Sequence, residues 1–171
     1  IVGPIHFVGT EGLAAWLITT SEGHILLNTG MPGSGPRIDT SIRALGFKPT
    51  DIKLLLTSHA HMDHVGGHAY MKKISGARVA TMEREVALLE SGGARDFQYA
   101  KVKAMAFEPV STDQVIRDGE TLKLGDVALT AHLTPGHTRG STTWTMNLRD
   151  GGRDYAEVFP DGPNVNPGYR L

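Results

Sequence analysis

The sequence contains no cysteine. That excludes a disulfide framework, a thiolate zinc finger and a catalytic thiol. It also lacks an excess of either charge. Against 18 Asp and Glu stand 17 Lys and Arg, a formal net charge of -1. Without a positive surplus to attract phosphates, nucleic acid is not an expected partner. No apolar run approaches the roughly 18 residues of a membrane-spanning helix, so no membrane association is expected. The stretch Leu13 to Ile18 is too short for the core of a secretion signal. The first residue is Ile1 rather than Met, which points to a processed or trimmed chain, or one taken from a longer frame. Its 171 residues, 40% of them hydrophobic, fit one globular domain of ordinary composition over residues 1–171.

Glycine is plentiful, at 21 residues, and with proline it punctuates the chain. Leu13–Thr19 and His24–Leu27 flank Ser21-Glu22-Gly23 and read as a β-hairpin. Ile38, Ile42 and Leu45 follow helical spacing, which Gly46 stops. Ile52–Leu56 is a short apolar run, the pattern of a buried strand. Helices are expected over 68–74 and 83–90, with a strand over 78–81 between them. Residues 94–110 carry no periodicity. From Val115 onward strands follow one another: 115–116, 121–124, 127–133, 142–148 and 155–159, with turns at Asp118-Gly119, Gly125-Asp126 and Asp150-Gly151-Gly152. Strands, then alternating helices, then strands again predict an α/β arrangement of sheets with helices packed outside.

Four of the eight histidines fall within ten residues: His59, His61, His64 and His68. The run His59-Ala60-His61-Met62-Asp63-His64 follows directly on a predicted strand. In extended backbone, positions i and i+2 point the same way, so His59 and His61 can approach one ion together. Asp63 and His64 are adjacent and cannot both face that ion. They are better placed to reach a second one. Imidazole and carboxylate suit a borderline cation such as Zn²⁺. His68, inside the next helix, reads as a surface residue or one behind the ligands. A second signal is Thr134-Pro135-Gly136-His137, after the strand 127–133, where Pro and Gly set a sharp turn that exposes His137. A catalytic zinc takes three protein ligands and an open position, and His59, His61 and His137 would supply the three.

These residues resemble the metallo-β-lactamase superfamily, whose signature is a strand, His-x-His-x-Asp-His, Gly-Gly, a helix and a later Pro-Gly-His. Within it the chain looks most similar to the zinc β-lactamases whose second site uses Asp, His and His. Supporting stretches are Phe7–Thr10 with Leu13–Ala15, Ala44–Phe47 with Asp51–Lys53, Thr134–Trp144, and 165–171. The resemblance implies an αβ/βα four-layer sandwich with a dinuclear zinc site at its edge. His59, His61 and His137 would hold the first Zn²⁺, with Asp63 and His64 on the second. The implied activity is hydrolysis of the β-lactam ring of penicillins, cephalosporins or carbapenems by metal-bound hydroxide, which Asp63 would orient as the catalytic carboxylate. The implied partner is a small anionic substrate, and the implied location is the periplasm or outside the cell.

The chain departs from the family pattern in several places. Members run to about 230–270 residues, so the second half of the sandwich is expected to be incomplete, leaving an exposed apolar sheet face that a partner chain would cover. No histidine follows His137, so the second zinc lacks its last imidazole. Asn28 stands where the family usually has Asp. Gly162 and Asn164 take places that relatives give to small hydroxyl residues. Asp161 has an alternative role, as the ligand bridging two metals in other hydrolases of the superfamily. Those hydrolases (thioesterases, lactonases and phosphodiesterases) are the competing function, and a catalytically inactive metal-binding fragment is a third. Phe7, Trp16, Trp144 and Phe159 are expected in the core. Met62 and Tyr70 read as core or surface rather than pocket wall, and His132 as a wall residue. His6 and His24 have no functional context. Ser141 is expected to pack beneath the His137 turn, and Arg139 to be solvated, with contact to an anionic substrate as its alternative.

Overall fold

The computed structural model describes residues 2–162 and 164–169. Ile1, Pro163, Arg170 and Leu171 lie outside the described residues, the last two within the supporting stretch 165–171. Six strands form the first sheet in chain order: β1 (Ile5–Phe7), β2 (Trp16–Thr20), β3 (Gly23–Leu27), β4 (Ile52–Leu56), β5 (Arg78–Met82) and β6 (Gln114–Ile116). The first three pair antiparallel, and β3 to β6 run parallel. Parallel neighbours need crossovers. The helices α1 (Gly35–Ala44), α2 (Met62–Val65), α3 (His68–Ser75) and α4 (Val86–Glu90) lie in them. The second sheet is an antiparallel meander of β7 (Thr121–Leu124), β8 (Val127–Leu133), β9 (Thr142–Asp150) and β10 (Arg153–Phe159).

Strand alternation divides the apolar residues between two cores. Leu17, Leu26, Leu55 and Val79 pack against Ile38 and Ile42 of α1, Met71 of α3 and Leu89 of α4. Ile18, Ile25, Leu27, Leu54 and Leu56 meet Leu129, Ala131, Trp144 and Met146 of the second sheet. A bulge at Lys53 maintains this division. His24 pairs with Ile52 while Ile25 pairs with Leu54, so Ile52 joins the helix-side core and Leu54 the inter-sheet core. Three layers are therefore present among the described residues: helices, mixed sheet, antiparallel sheet.

Several expectations need correction. Phe7 is 44% exposed, at the edge strand, where it stacks edge-to-face on the partly buried Trp16. Trp144 and Phe159 are buried as expected. The outer face of the second sheet is not the apolar patch that was expected. It carries Thr130, Thr143, Thr145 and Asn147, with Val158 its exposed large aliphatic side chain. Hydroxyl pairs cross it, Thr121 to Thr130 at 2.8 Å and Thr134 to Thr143 at 3.0 Å. His132 belongs to this face, its Nε2 2.8 Å from Thr145 Oγ1. The expected 83–90 helix begins only at Val86, because residues 83–85 turn back toward the sheet. Met62 and Tyr70 pack on the helix-side core, as expected.

Candidate metal centre

Strand β4 ends at Leu56, a bend follows at Ser58, and His61 is extended (φ -93, ψ 157) before α2 begins at Met62. His59 and His61 bring their rings together, with centroids 4.8 Å apart, while Asp63 and His64 sit on the first turn of a helix. The turn is held by several bonds. Thr29 N–H donates to His64 O at 2.7 Å, and Gly66 N–H to Gly30 O at 2.8 Å. A Cβ on Gly66 would lie 2.1 Å from Pro32 N, so only glycine allows this approach. His137 arrives from the turn after β8, which Thr134 N–H closes onto Ser141 O at 2.8 Å. Ser141 is fully buried there, its hydroxyl accepting the Thr138 N–H at 2.9 Å, the packing role expected of it.

The donor atoms of His59, His61 and His137 lie within 4.8 Å of one another, as do those of His59, Asp63 and His64. His61 Nδ1 and His137 Nε2 are 3.1 Å apart. Two nitrogens on one tetrahedral zinc at about 2.05 Å would be separated by about 3.3 Å. The remaining nitrogens show which atoms are free. His59 Nδ1 is bonded to Asp161 Oδ1 at 2.6 Å, and His61 Nε2 to Asp96 Oδ2 at 2.9 Å. That leaves His59 Nε2 buried with no partner, facing nothing that satisfies it. A buried imidazole nitrogen is rarely left so, and a cation is the partner its lone pair suits. The residues present therefore fit a divalent metal such as zinc.

Electrostatics favour the ligating, neutral form. Burial first, and then the charges of His59 and His61, lower the His137 imidazole. Burial followed by His59 takes His64 down to about 4. Burial alone would raise Asp161, but the hydrogen bond and charge of His59 hold it at about 2, an ionised acceptor for that ring. Burial likewise opposes, and the His61 hydrogen bond reverses, the shift at Asp96, which also accepts Gln98 and Tyr99 N–H at 2.6 Å each. Asp161 contacts the Nδ1 side of His59 through Oδ1 and belongs to neither donor group, while its Oδ2 is buried without a partner.

The other positions fall into place around this cluster. Asn28, in left-handed backbone (φ 62), accepts the Ser58 N–H at 2.9 Å and so anchors the metal loop without a charge. Ser58 Oγ in turn meets His64 Nδ1 at 3.2 Å. Gly162 lies against the His137 ring, where a Cβ would come to 3.2 Å from its Cγ. Asn164 reaches Asn166, whose amide donates to His137 O at 2.8 Å. His68 is not on the surface. It is wholly buried, with Nδ1 2.7 Å from Thr29 Oγ1 behind the turn. Arg139 is exposed as expected, its guanidinium 6.0 Å above the Phe97 ring.

Sequence reasoning missed Glu85. It is 1% exposed and joins the two histidine-bearing segments. Its Oε1 accepts the Ala60 N–H at 2.7 Å, and its Oε2 the Thr138 hydroxyl at 2.9 Å and the Gly140 N–H at 2.8 Å. A signal existed: Glu85, Leu88 and Leu89 share one helical face, so this carboxylate falls on the apolar side. For Asp96, in an aperiodic loop, no such signal was present.

A cluster of imidazoles and one carboxylate, carried by the turns after parallel β4 and antiparallel β8, defines the chain as a metal-binding α/β protein. A family model described as the metallo-beta-lactamase superfamily matches residues 9–149. The chain belongs to that superfamily. Among solved structures it is similar to the native FEZ-1 metallo-beta-lactamase from Legionella gormanii. The two are 47% identical with a TM-score of 0.96, covering 100% of this chain and 65% of that one. It is also similar to BJP-1, a subclass B3 metallo-beta-lactamase of Bradyrhizobium japonicum, at 44% identity and a TM-score of 0.87, covering 92% of this chain and 59% of that one. A curated relative, a probable metallo-hydrolase of Burkholderia pseudomallei (strain 1710b), is 29% identical over 113 residues, 66% of this chain and 36% of the relative. The chain thus spans less than two thirds of these relatives' own lengths.

Proposed function

We propose that this chain carries the metal centre of a zinc-dependent β-lactamase that opens the ring of penicillins, cephalosporins or carbapenems. One observation carries this reading. The free nitrogens of His59, His61 and His137 converge while carboxylates occupy the far nitrogens of His59 and His61. The likeness to two metallo-beta-lactamases above 40% identity supports a β-lactam as the substrate class. His59 Nε2, His61 Nδ1 and His137 Nε2 would hold the first zinc. Asp63 and His64 would hold a second. Bound zinc supplies a Lewis acid for a carbonyl and lowers the pKa of a water to about 7.

The chain's own residues do the rest. Asp161 and Asp96 fix the tautomer and tilt of His59 and His61, so that each presents one lone pair. Asp63 keeps a carboxylate oxygen beside the cluster, partly exposed, where it takes up the proton of an attacking water and aims it. Asn28 and Ser58 hold the loop that bears these groups. No serine nucleophile is needed, since Ser141 is buried and committed to Thr138.

The test is hydrolysis of a chromogenic cephalosporin by purified protein of measured zinc content, with and without chelator. Ring opening that chelator abolishes and zinc restores is the expected result. Thioester or lactone cleavage without ring opening would move the activity to another hydrolase of the superfamily. Zinc bound with no turnover on any of these would leave a metal-binding protein without β-lactamase activity.

A further inference from the structure

We infer that a second cavity, distinct from the histidine cluster, binds a small dianion bearing carboxylate or phosphate groups. The cavity is about 220 Å³ and is lined by Arg84, Arg95 and Arg139 around Phe97, with Glu85 and Asp96 in its wall. The three arginines come from three separate segments: the turn before α4, the loop after it, and the His137 turn. None of them makes an ion pair among the described residues, where Arg43, Arg117 and Arg149 do.

The two acids in the wall do not neutralise them. Both Glu85 oxygens are taken up by Ala60, Thr138 and Gly140. Both Asp96 oxygens are taken up by Gln98, Tyr99 and His61. The nearest other carboxylates along the chain, Glu83 and Glu90, face a neighbouring depression with Arg95 and form no ion pair with it. The cavity is therefore lined by three arginines, none of which pairs with a carboxylate among the described residues. A guanidinium presents paired donors in the plane that a carboxylate or phosphate matches bidentately. Arg139 is held above the Phe97 ring at 6.0 Å, which limits its freedom and lowers the entropy lost on binding. The volume is below the roughly 300–1,000 Å³ of pockets for drug-sized ligands, so the occupant is small. This inference does not rest on the proposed metal chemistry.

Isothermal titration of the protein with inorganic phosphate, and separately with succinate, tests it. Measurements are made on zinc-loaded and on chelator-treated protein. Saturable 1:1 binding of at least one anion is expected, equal in both preparations and weakening with added salt. Binding should fall about tenfold in Arg84→Gln and again in Arg84→Gln/Arg139→Gln, from the loss of one charge-assisted pair each. Both side chains are exposed, so the variants retain the fold, which unfolding midpoints close to the parent's would verify. Absence of saturable binding overturns the inference. So does binding that survives the double substitution. Binding seen only with zinc present would make the anion a metal ligand and overturn it equally.

Discussion

At the scale of single residues, the outward-facing nitrogens matter as much as the inward ones. His59 and His61 are aimed by Asp161 and Asp96, and an ionised partner makes each ring a better ligand. Asp161→Asn keeps an acceptor for the His59 N–H at the 2.6 Å contact but loses the charge. It should weaken the tight zinc site by about 10–100-fold, as read by competition with a chromogenic chelator. An exposed surface carboxylate such as Asp154, changed to Asn in the same way, should show no such effect. His68 gives a pH prediction with a defined sign. Burial lowers it from 6.5 to about 3, so the folded state binds fewer protons than the unfolded one. Its contribution is intact above pH 6.5 and is lost as pH falls from 6.5 toward about 3, by up to about 1.4 kcal/mol per unit. Urea unfolding of metal-free protein between pH 7 and 5 should show that slope, reduced in His68→Gln.

At the scale of elements, Glu85 is the tie between two turns nearly eighty residues apart in sequence. Burial pushes its carboxyl up, against the three hydrogen bonds that hold it. Glu85→Gln sets an NH₂ group against a donor on one side and should cost about 3 kcal/mol in urea unfolding. Gly140→Ala attacks the same tie from the other end. Its Cβ would fall 2.5 Å from Glu85 N and 2.6 Å from Oε2, both difficult to move. A loss of about 1–3 kcal/mol is expected, with the same method. Element types were largely legible because periodicity and turn chemistry are local: β4, α3 and the β8–β9 meander all sit within a few residues of where spacing put them. The start of α4 was not, since the turn at 83–85 is imposed by Glu85 reaching Ala60 and not by propensity.

At the scale of the whole molecule, metal binding and folding should be coupled. The three imidazoles come from two distant turns, so the unfolded chain has no comparable site. At free zinc about 100-fold above Kd the folded state gains about 2.7 kcal/mol. A thermal midpoint raised by roughly 5–10 °C, and lowered again by chelator, is the expected readout. Asp63 and His64 offer a second ion fewer donors than the three imidazoles offer the first. Titration should therefore show one tight equivalent and one weaker by at least tenfold.

The sequence alone determined the chemistry's raw material: His59, His61, Asp63, His64 and His137, and the strand ends that carry them. Spacing encodes this because two extended residues and one turn decide which way a side chain faces. Tertiary structure alone decided which nitrogens of His59 and His61 meet a carboxylate, that Asp161 contacts His59, and that His68 and Glu85 are buried. It also decided that Phe7 is exposed and that the outer sheet face is lined by hydroxyls. Those outcomes depend on contacts between residues 25 to 102 positions apart, and no local pattern records which partner a buried polar group will meet.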